Sequence, residues 1–257
     1  MDIEKIINIA TLAGEKILDI YKKDTANVKI KNDGSPVTTA DLAANKIICD
    51  ILTALTPDIP ILSEESIDQI NRSERQKWSK FWLIDPLDGT KEFINKTDEF
   101  TVNIALIDQG EPVLGVVYAP ALKKTYFAKK GHGAFLRDKA HSARRLLARE
   151  SSDSQKNTYN VVTSRSHNCE KTNLYIKSLE TQGFEIARVP MGSSLKFCIV
   201  AENKAECYPR FGPTMEWDTG AGDIIAREAG KQVLVFDEET PLEYNKDSLL
   251  NPAFIVS

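Results

Sequence analysis

The apolar positions change their period along the chain. Ile3, Ile6, Ile7, Ala10, Ala13, Ile17 and Ile20 recur at helical spacing and predict an amphipathic helix over about residues 3–22. Lys29-Ile30-Lys31 alternates briefly, and residues 32–36 form a turn. Thr38 or Thr39 caps a second helix that runs to about Leu55. Prolines 57 and 60 interrupt it, and a short strand at 59–62 leads into Ser63-Glu64-Glu65-Ser66. Residues 81–84 are wholly apolar and predict a strand that stops at Asp85. Residues 101–108 and 113–119 predict paired strands with a Gln109-Gly110 turn, and 125–128 and 134–136 extend that sheet.

The stretch 141–157 is polar, basic and then serine-rich, which predicts a solvated connector on the surface. It divides an N-terminal part, 1–140, from a C-terminal part, 141–257. Beyond it, strands at 161–163, 184–189, 206–209, 233–236 and 254–256 are interspersed with helices at 174–182, 195–201 and 219–229. The first half reads helix–helix–sheet and the second half alternates strand and helix. No internal repeat or low-complexity tract is present.

With 257 residues, 42% hydrophobic and 27% charged, the composition is that of a globular domain or of two packed subdomains. The net charge of −4 argues against extended nucleic acid as a partner. Cys49, Cys169, Cys198 and Cys207 form no C-x-x-C pair, which argues against zinc. Cys49 and Cys198 lie in apolar periodic segments and read as buried thiols. Asp2 and Glu4 stand where a secretory signal would be basic, and no apolar run is long enough to span a bilayer. A cytoplasmic protein is the expectation.

Residues 82–93 read WLIDPLDGTKEF. Two like charges, Asp85 and Asp88, flank Pro86-Leu87 and repel unless something neutralises them. An apolar strand followed by a turn that Gly89 permits can aim both carboxylates, and the Leu87 carbonyl, at one hard cation. Glu64 and Glu65 also follow a short apolar strand, and parallel neighbouring strands would bring these carboxyl ends together. Asp218, opening a Gly/Ala-rich helix, is a further candidate; its competing role is that of a helix cap. The amides of Gly89 and Thr90 could bind phosphate oxygens if a helix starts there. No Ser-His-Asp arrangement is indicated, and Cys169 has no catalytic setting.

WLIDPLDGTKEF and WDTGAGDIIAREAG (217–230), with LSEES (62–66) and VTTAD (37–41) in order, resemble the signatures of the inositol monophosphatase superfamily across almost the whole chain. The resemblance implies an α/β fold, the layered αβαβα sandwich of the sugar phosphatases. It implies that Glu64, Asp85, Asp88, Asp218 and the Leu87 carbonyl hold two or three magnesium ions. It also implies that Asp41 and Thr90 pair to activate an attacking water beside Glu64. Magnesium can acidify a bound water and stabilise a leaving alkoxide, so no covalent nucleophile is required.

TSRSH (163–167), GSSLKF (192–197), YPRFGPTMEWDT (208–219) and GVVYAP (115–120) resemble, within that superfamily, the 3′(2′),5′-bisphosphate nucleotidases of the bacterial CysQ type. That resemblance implies hydrolysis of the 3′-phosphate of adenosine 3′,5′-bisphosphate, and in some members of 3′-phosphoadenylyl sulfate. It implies a substrate contacted by Glu64, Leu87, Asp88, Gly89, Thr90, Ser164, His167, Ser193, Lys196 and Asp218. A substrate with two phosphates needs a second anion site, and the Arg210 fork adds a chemically suitable donor. Three of these have a plainer reading: Lys196 as a solvated helix residue, His167 as a surface or capping residue, Ser193 as a cap. Trp82 and Trp217 read as core packing. Met215 and Glu216 are expected to tune substrate preference. An inositol monophosphatase and a nucleotide-binding regulator without catalysis are the alternatives. The resemblance further implies lithium inhibition, a monomer or homodimer, and in some relatives association with the inner face of the inner membrane.

Overall fold

Capping and an isoleucine stripe start the first element. α1 (Ile3–Lys23) is capped by Asp2, whose carboxylate accepts from the Glu4 N–H at 3.1 Å. Its Ile6, Ala10, Ala13 and Ile17 face is completely buried. The structure, a computed structural model, describes residues 1–24, 26–31, 34, 36–138, 142–147, 158–165 and 169–257. β1 (Val28–Ile30) and β2 (Pro36–Thr38) make a small antiparallel hairpin. α2 (Thr39–Leu55) begins in a reciprocal capping box between Thr38 and Asp41.

β3 (Ile61–Ser63) follows, and a 3-10 turn at Ile67–Gln69 and α3 (Arg72–Arg75) lead to β4 (Lys80–Asp88). After α4 (Thr90–Ile94) come β5 (Thr101–Asp108), β6 (Glu111–Ala119), β7 (Lys124–Lys129), β8 (Gly133–Arg137) and β9 (Ala143–Leu146). Strands β3 to β9 form one seven-stranded sheet in sequence order. Only the β3–β4 pair is parallel; the others are antiparallel meanders. Gln109 and Gly110 both take left-handed φ, 53° and 76°, as a tight hairpin turn with right-handed strand twist demands.

The second half supplies β10 (Thr158–Ser164), α5 (Glu170–Thr181), β11 (Glu185–Met191), α6 (Leu195–Ala201), β12 (Tyr208–Arg210), α7 (Glu216–Glu228), β13 (Val233–Val235) and β14 (Phe254–Val256). β10 and β11 pair in parallel, and β14 lies between β12 and β13.

Alternation along β4 sets the layers. Trp82 and Ile84 face α1 and α2, whereas Phe81 and Leu83 face the cluster that holds α6 and α7. α7 lies across β4 to β8 and against α6, α6 meets β10 and β12, and α5 covers β11 and β12. The order is helices, sheet, helices, smaller sheets, helix: αβαβα. α7 approaches the sheet closely because the contact surfaces are small. A Cβ added to Gly115 would stand 2.4 Å from Ile224 Cγ2 and 2.7 Å from the Ala221 carbonyl.

Three local expectations change. β4 does not stop at Asp85 but continues to Asp88, with a register shift between them against β5. A bulge of this kind re-aims side chains without ending the strand, and it accommodates Pro86. The connector stretch contributes β9, paired antiparallel with β8; residues 141 and 148–157 of that stretch lie outside the described residues. Glu216 is not among the residues that line the cavity described below. It is fully buried and accepts from the Asn245 and Lys246 amides and from Lys246 Nζ at 2.6 Å.

Candidate active site

Parallel pairing of β3 and β4 puts their carboxyl ends side by side. Ser63 is opposite Ile84, and the Glu64 N–H donates to the Ile84 carbonyl at 3.1 Å. Glu64, Asp85 and Asp88 therefore leave one edge of the sheet together. α7 brings Asp218 to the same point from its first turn. Carboxylate oxygens of Asp85, Asp88 and Asp218 all lie within 4.8 Å of one another. Asp218 is also a helix cap, since its Oδ2 accepts from the Met215 N–H at 2.8 Å; capping and a place in the acidic cluster coexist.

Each acid is fixed by named donors. Asp85 Oδ1 accepts from the Leu87 N–H at 3.0 Å. Asp88 Oδ2 accepts from the Ser194 N–H at 2.6 Å, lies 2.6 Å from Ser194 Oγ, and is reached by Asn103 Nδ2 at 3.3 Å. Thr90 Oγ1 is 3.2 Å from Asp41 Oδ1 and 3.3 Å from the Leu87 carbonyl. Asp41 Oδ2 accepts from Thr38 N–H at 2.8 Å and Oγ1 at 2.6 Å, so the capping box that starts α2 also orients Asp41. Glu64 stands outside the tight triad. Its Oε1 pairs with Lys31 Nζ at 2.7 Å, and the same ammonium reaches Glu65 Oε1 at 2.7 Å.

Burial and mutual repulsion resist ionisation here. Burial, then the charges of Glu64, Asp88 and Asp218, push Asp85 well above the usual carboxylate range. Burial, then Asp88 and Glu64, push Asp218 up to about 8. Burial lifts Glu64 to about 6 despite Lys31, and burial also raises Asp41. A divalent cation would remove that cost. The donors fit a hard cation: they are all oxygens, with no histidine or thiolate among them. Two buried atoms on β5, Thr101 Oγ1 and Asn103 Oδ1, have no hydrogen-bond partner among the described residues. They belong to the register partners of Asp88 and Asp85, so unspent polar capacity borders the acids.

The acids open into a cavity of about 290 Å³ whose lining includes Glu64, Asp88, Gly89, Thr90, Ser164, Ser193, Lys196, Arg210 and Asp218. Lys196 is not a solvated helix residue. It is buried, its ammonium donates to the Ser193 carbonyl, and burial lowers its pKa to about 8. Arg210 donates from Nε to the Gly212 carbonyl at 3.1 Å and from Nη2 to the Pro213 carbonyl at 2.7 Å. Ser164 and Arg210 also line a neighbouring cavity of about 280 Å³. His167 lies outside the described residues. Trp82 and Trp217 are core residues, as expected.

The inositol monophosphatase family model matches residues 2–255. The chain is 45% identical over 257 residues to the 3′(2′),5′-bisphosphate nucleotidase CysQ of Salmonella typhimurium, covering 99% of each chain. It is 44% identical over 257 residues to the protein of the same description from Escherichia coli K12, again covering 99% of both. The crystal structure of CysQ from Bacteroides thetaiotaomicron superposes with a TM-score of 0.85 at 42% identity, over 98% of this chain and 94% of that one. The chain belongs to the inositol monophosphatase family. Enzymes of the inositol monophosphatase family use metal ions, and the acidic cluster is where this member could hold them.

Sequence reasoning left out Asn103 and Lys31, and it read Ser194 within GSSLKF only as a donor to a substrate anion, not as a partner of Asp88. Ser194, Asn103 and Lys31 touch the acids directly, yet they come from a loop, a central strand and the β1–β2 hairpin. The alternation of β5 gave one signal, because Asn103 interrupts an otherwise apolar strand opposite Asp85. Nothing local marked Lys31.

Proposed function

We propose that this chain is a magnesium-dependent phosphatase that cleaves the 3′-phosphate of adenosine 3′,5′-bisphosphate, releasing AMP and phosphate. One observation carries the reading. A three-carboxylate cluster opens into a cavity that also carries the buried cation Lys196 and the guanidinium charge of Arg210. A substrate with one phosphate at the acids and a second anion at these two cations suits that arrangement. The bisphosphate nucleotidase relatives, matched over 99% of their length, support it.

Asp85, Asp88, Asp218, Glu64 and the Leu87 carbonyl would hold the magnesium. When bound, magnesium supplies Lewis acidity towards the phosphoryl oxygens and the incoming water. The protein supplies orientation. Thr90 Oγ1, donating to Asp41 Oδ1, presents its own lone pairs to a water hydrogen and can pass a proton towards Asp41. Ser194 and Asn103 keep Asp88 from turning away. The Gly89 and Thr90 amides lie at the start of α4, on the phosphate side of the cavity. Ser164, Ser193, Lys196 and Arg210, with His167, would receive the nucleotide and its second phosphate.

The test is phosphate release from adenosine 3′,5′-bisphosphate with magnesium and then with EDTA. Release that depends on magnesium and yields 5′-AMP supports the reading. No release under either condition, from folded protein, refutes it.

A further inference from the structure

Three loops that carry pocket residues meet at Glu99, which is not among the residues that line the cavity. Glu99 precedes β5. Its Oε2 accepts from the Gly192 N–H at 2.7 Å and from Arg165 Nε at 2.8 Å, and its Oε1 accepts from Arg165 Nη2 at 2.7 Å. Arg165 also donates from Nη2 to the Pro190 carbonyl at 3.2 Å. The Glu99 backbone is wedged between two glycines. A Cβ on Gly89 would lie 3.1 Å from the Glu99 carbonyl, and one on Gly192 would lie 2.9 Å from it. The segment is anchored from the far side, because Tyr21 of α1 donates to Asp98 Oδ1 at 2.7 Å.

Each joined loop presents pocket residues. Gly89 and Thr90 follow Asp88. Ser164 ends β10, immediately before Arg165. Gly192 precedes Ser193, held at a left-handed φ of 49°, and Ser194, whose amide fixes Asp88. Lys196 donates back to the Ser193 carbonyl, so its place depends on that loop too.

We infer that Glu99 is a positioning residue for the nucleotide, acting through its fork with Arg165 and its bond to the Gly192 amide to hold Ser164, Ser193 and Lys196 at their mutual spacing. The inference rests on the nucleotide reading above. Stability alone does not account for the arrangement. The Arg165 side chain is 41% exposed and that of Glu99 15%, and an ion pair with one partner open to solvent adds only modestly to folding. A bidentate fork, by contrast, fixes direction as well as distance.

The experiment compares wild type, Glu99→Gln, Arg165→Ala and the double variant, reading KM, kcat and the thermal midpoint with magnesium present. Each single variant is expected to raise KM for adenosine 3′,5′-bisphosphate about tenfold with a smaller fall in kcat, because substrate positioning is lost while Asp88 keeps its bond to Asn103 when the Ser194 loop loosens. The double variant should be no worse than the singles, since both act through one clamp. An unchanged KM, additive effects, or a fall in kcat that tracks a lower midpoint would overturn the inference. If the wild type turns over only inositol 1-phosphate, the nucleotide reading fails separately. The clamp is then judged by the same variants' KM for that ester, where an unchanged value refutes it.

Discussion

Asp85 is completely buried beside two more carboxylates, a placement that works against the metal-free fold. Its folded-state pKa lies above the unfolded one, so its contribution to stability is full at low pH and is lost as pH rises through the folded value. At neutral pH, Asp85→Asn therefore relieves repulsion. We expect the variant to melt in EDTA at or above the wild-type temperature, while turnover falls by about 10³-fold or more. Magnesium should raise the melting temperature of the wild type but scarcely that of the variant. Calorimetry with and without magnesium checks this; a variant that melts well below wild type in EDTA would contradict it. Lys196 gives a pH signature. Burial brings it down to about 8, so the free enzyme carries this charge below that pH and loses it above. kcat/KM for a bisphosphate should fall as pH rises past about 8, and Lys196→Met should lower it about ten- to a hundredfold and flatten that limb. A pH–rate profile of both proteins is the measurement. At this scale the aspartates were legible, because D-P-x-D-G after an apolar strand has few other uses. Asn103, Glu99 and the hold of Ser194 on Asp88 were not, because those roles exist only where distant loops meet.

Elements followed the apolar period wherever one face was buried. β5 was legible to the residue, with its Gln109-Gly110 turn, because seven of its eight positions are buried. β9 was not. It reads ARRL with three exposed positions, and an edge strand of a sheet needs no apolar alternation. β4 was read short, since polar residues after apolar ones resemble an end, whereas a bulge lets the strand carry acids outward. The contact of α7 with the sheet makes its own prediction. Gly115→Val places methyls where Ile224 and the Ala221 carbonyl already stand. Overpacking there should cost about 1–3 kcal/mol or more in denaturant unfolding and should also reduce turnover, because α7 carries Asp218. A variant of wild-type stability would mean that α7 sits farther from β6 than described.

The whole molecule is organised so that one end of the large sheet faces the loops of the second half. β3 and β4 deliver Glu64, Asp85 and Asp88, α2 delivers Asp41, α7 delivers Asp218, and the loops after β10 and β11 deliver Ser164 and Ser193. The layered architecture was legible from the family signatures, and the helix–helix–sheet half from periodicity alone. The interlocking was not, because it depends on α6 and α7 packing onto a sheet built from the other half of the chain. Among the described residues, no helix is long and apolar enough to cross a membrane. The central claim is that the acids and the cations Lys196 and Arg210 in the same cavity serve a substrate with two anionic groups. Its most direct test sets kcat/KM for adenosine 3′,5′-bisphosphate beside that for inositol 1-phosphate, in one magnesium buffer. The account predicts that the nucleotide is favoured by about a hundredfold or more, as one charge-assisted anion contact supplies. Equal values, or a preference for the inositol ester, would contradict it.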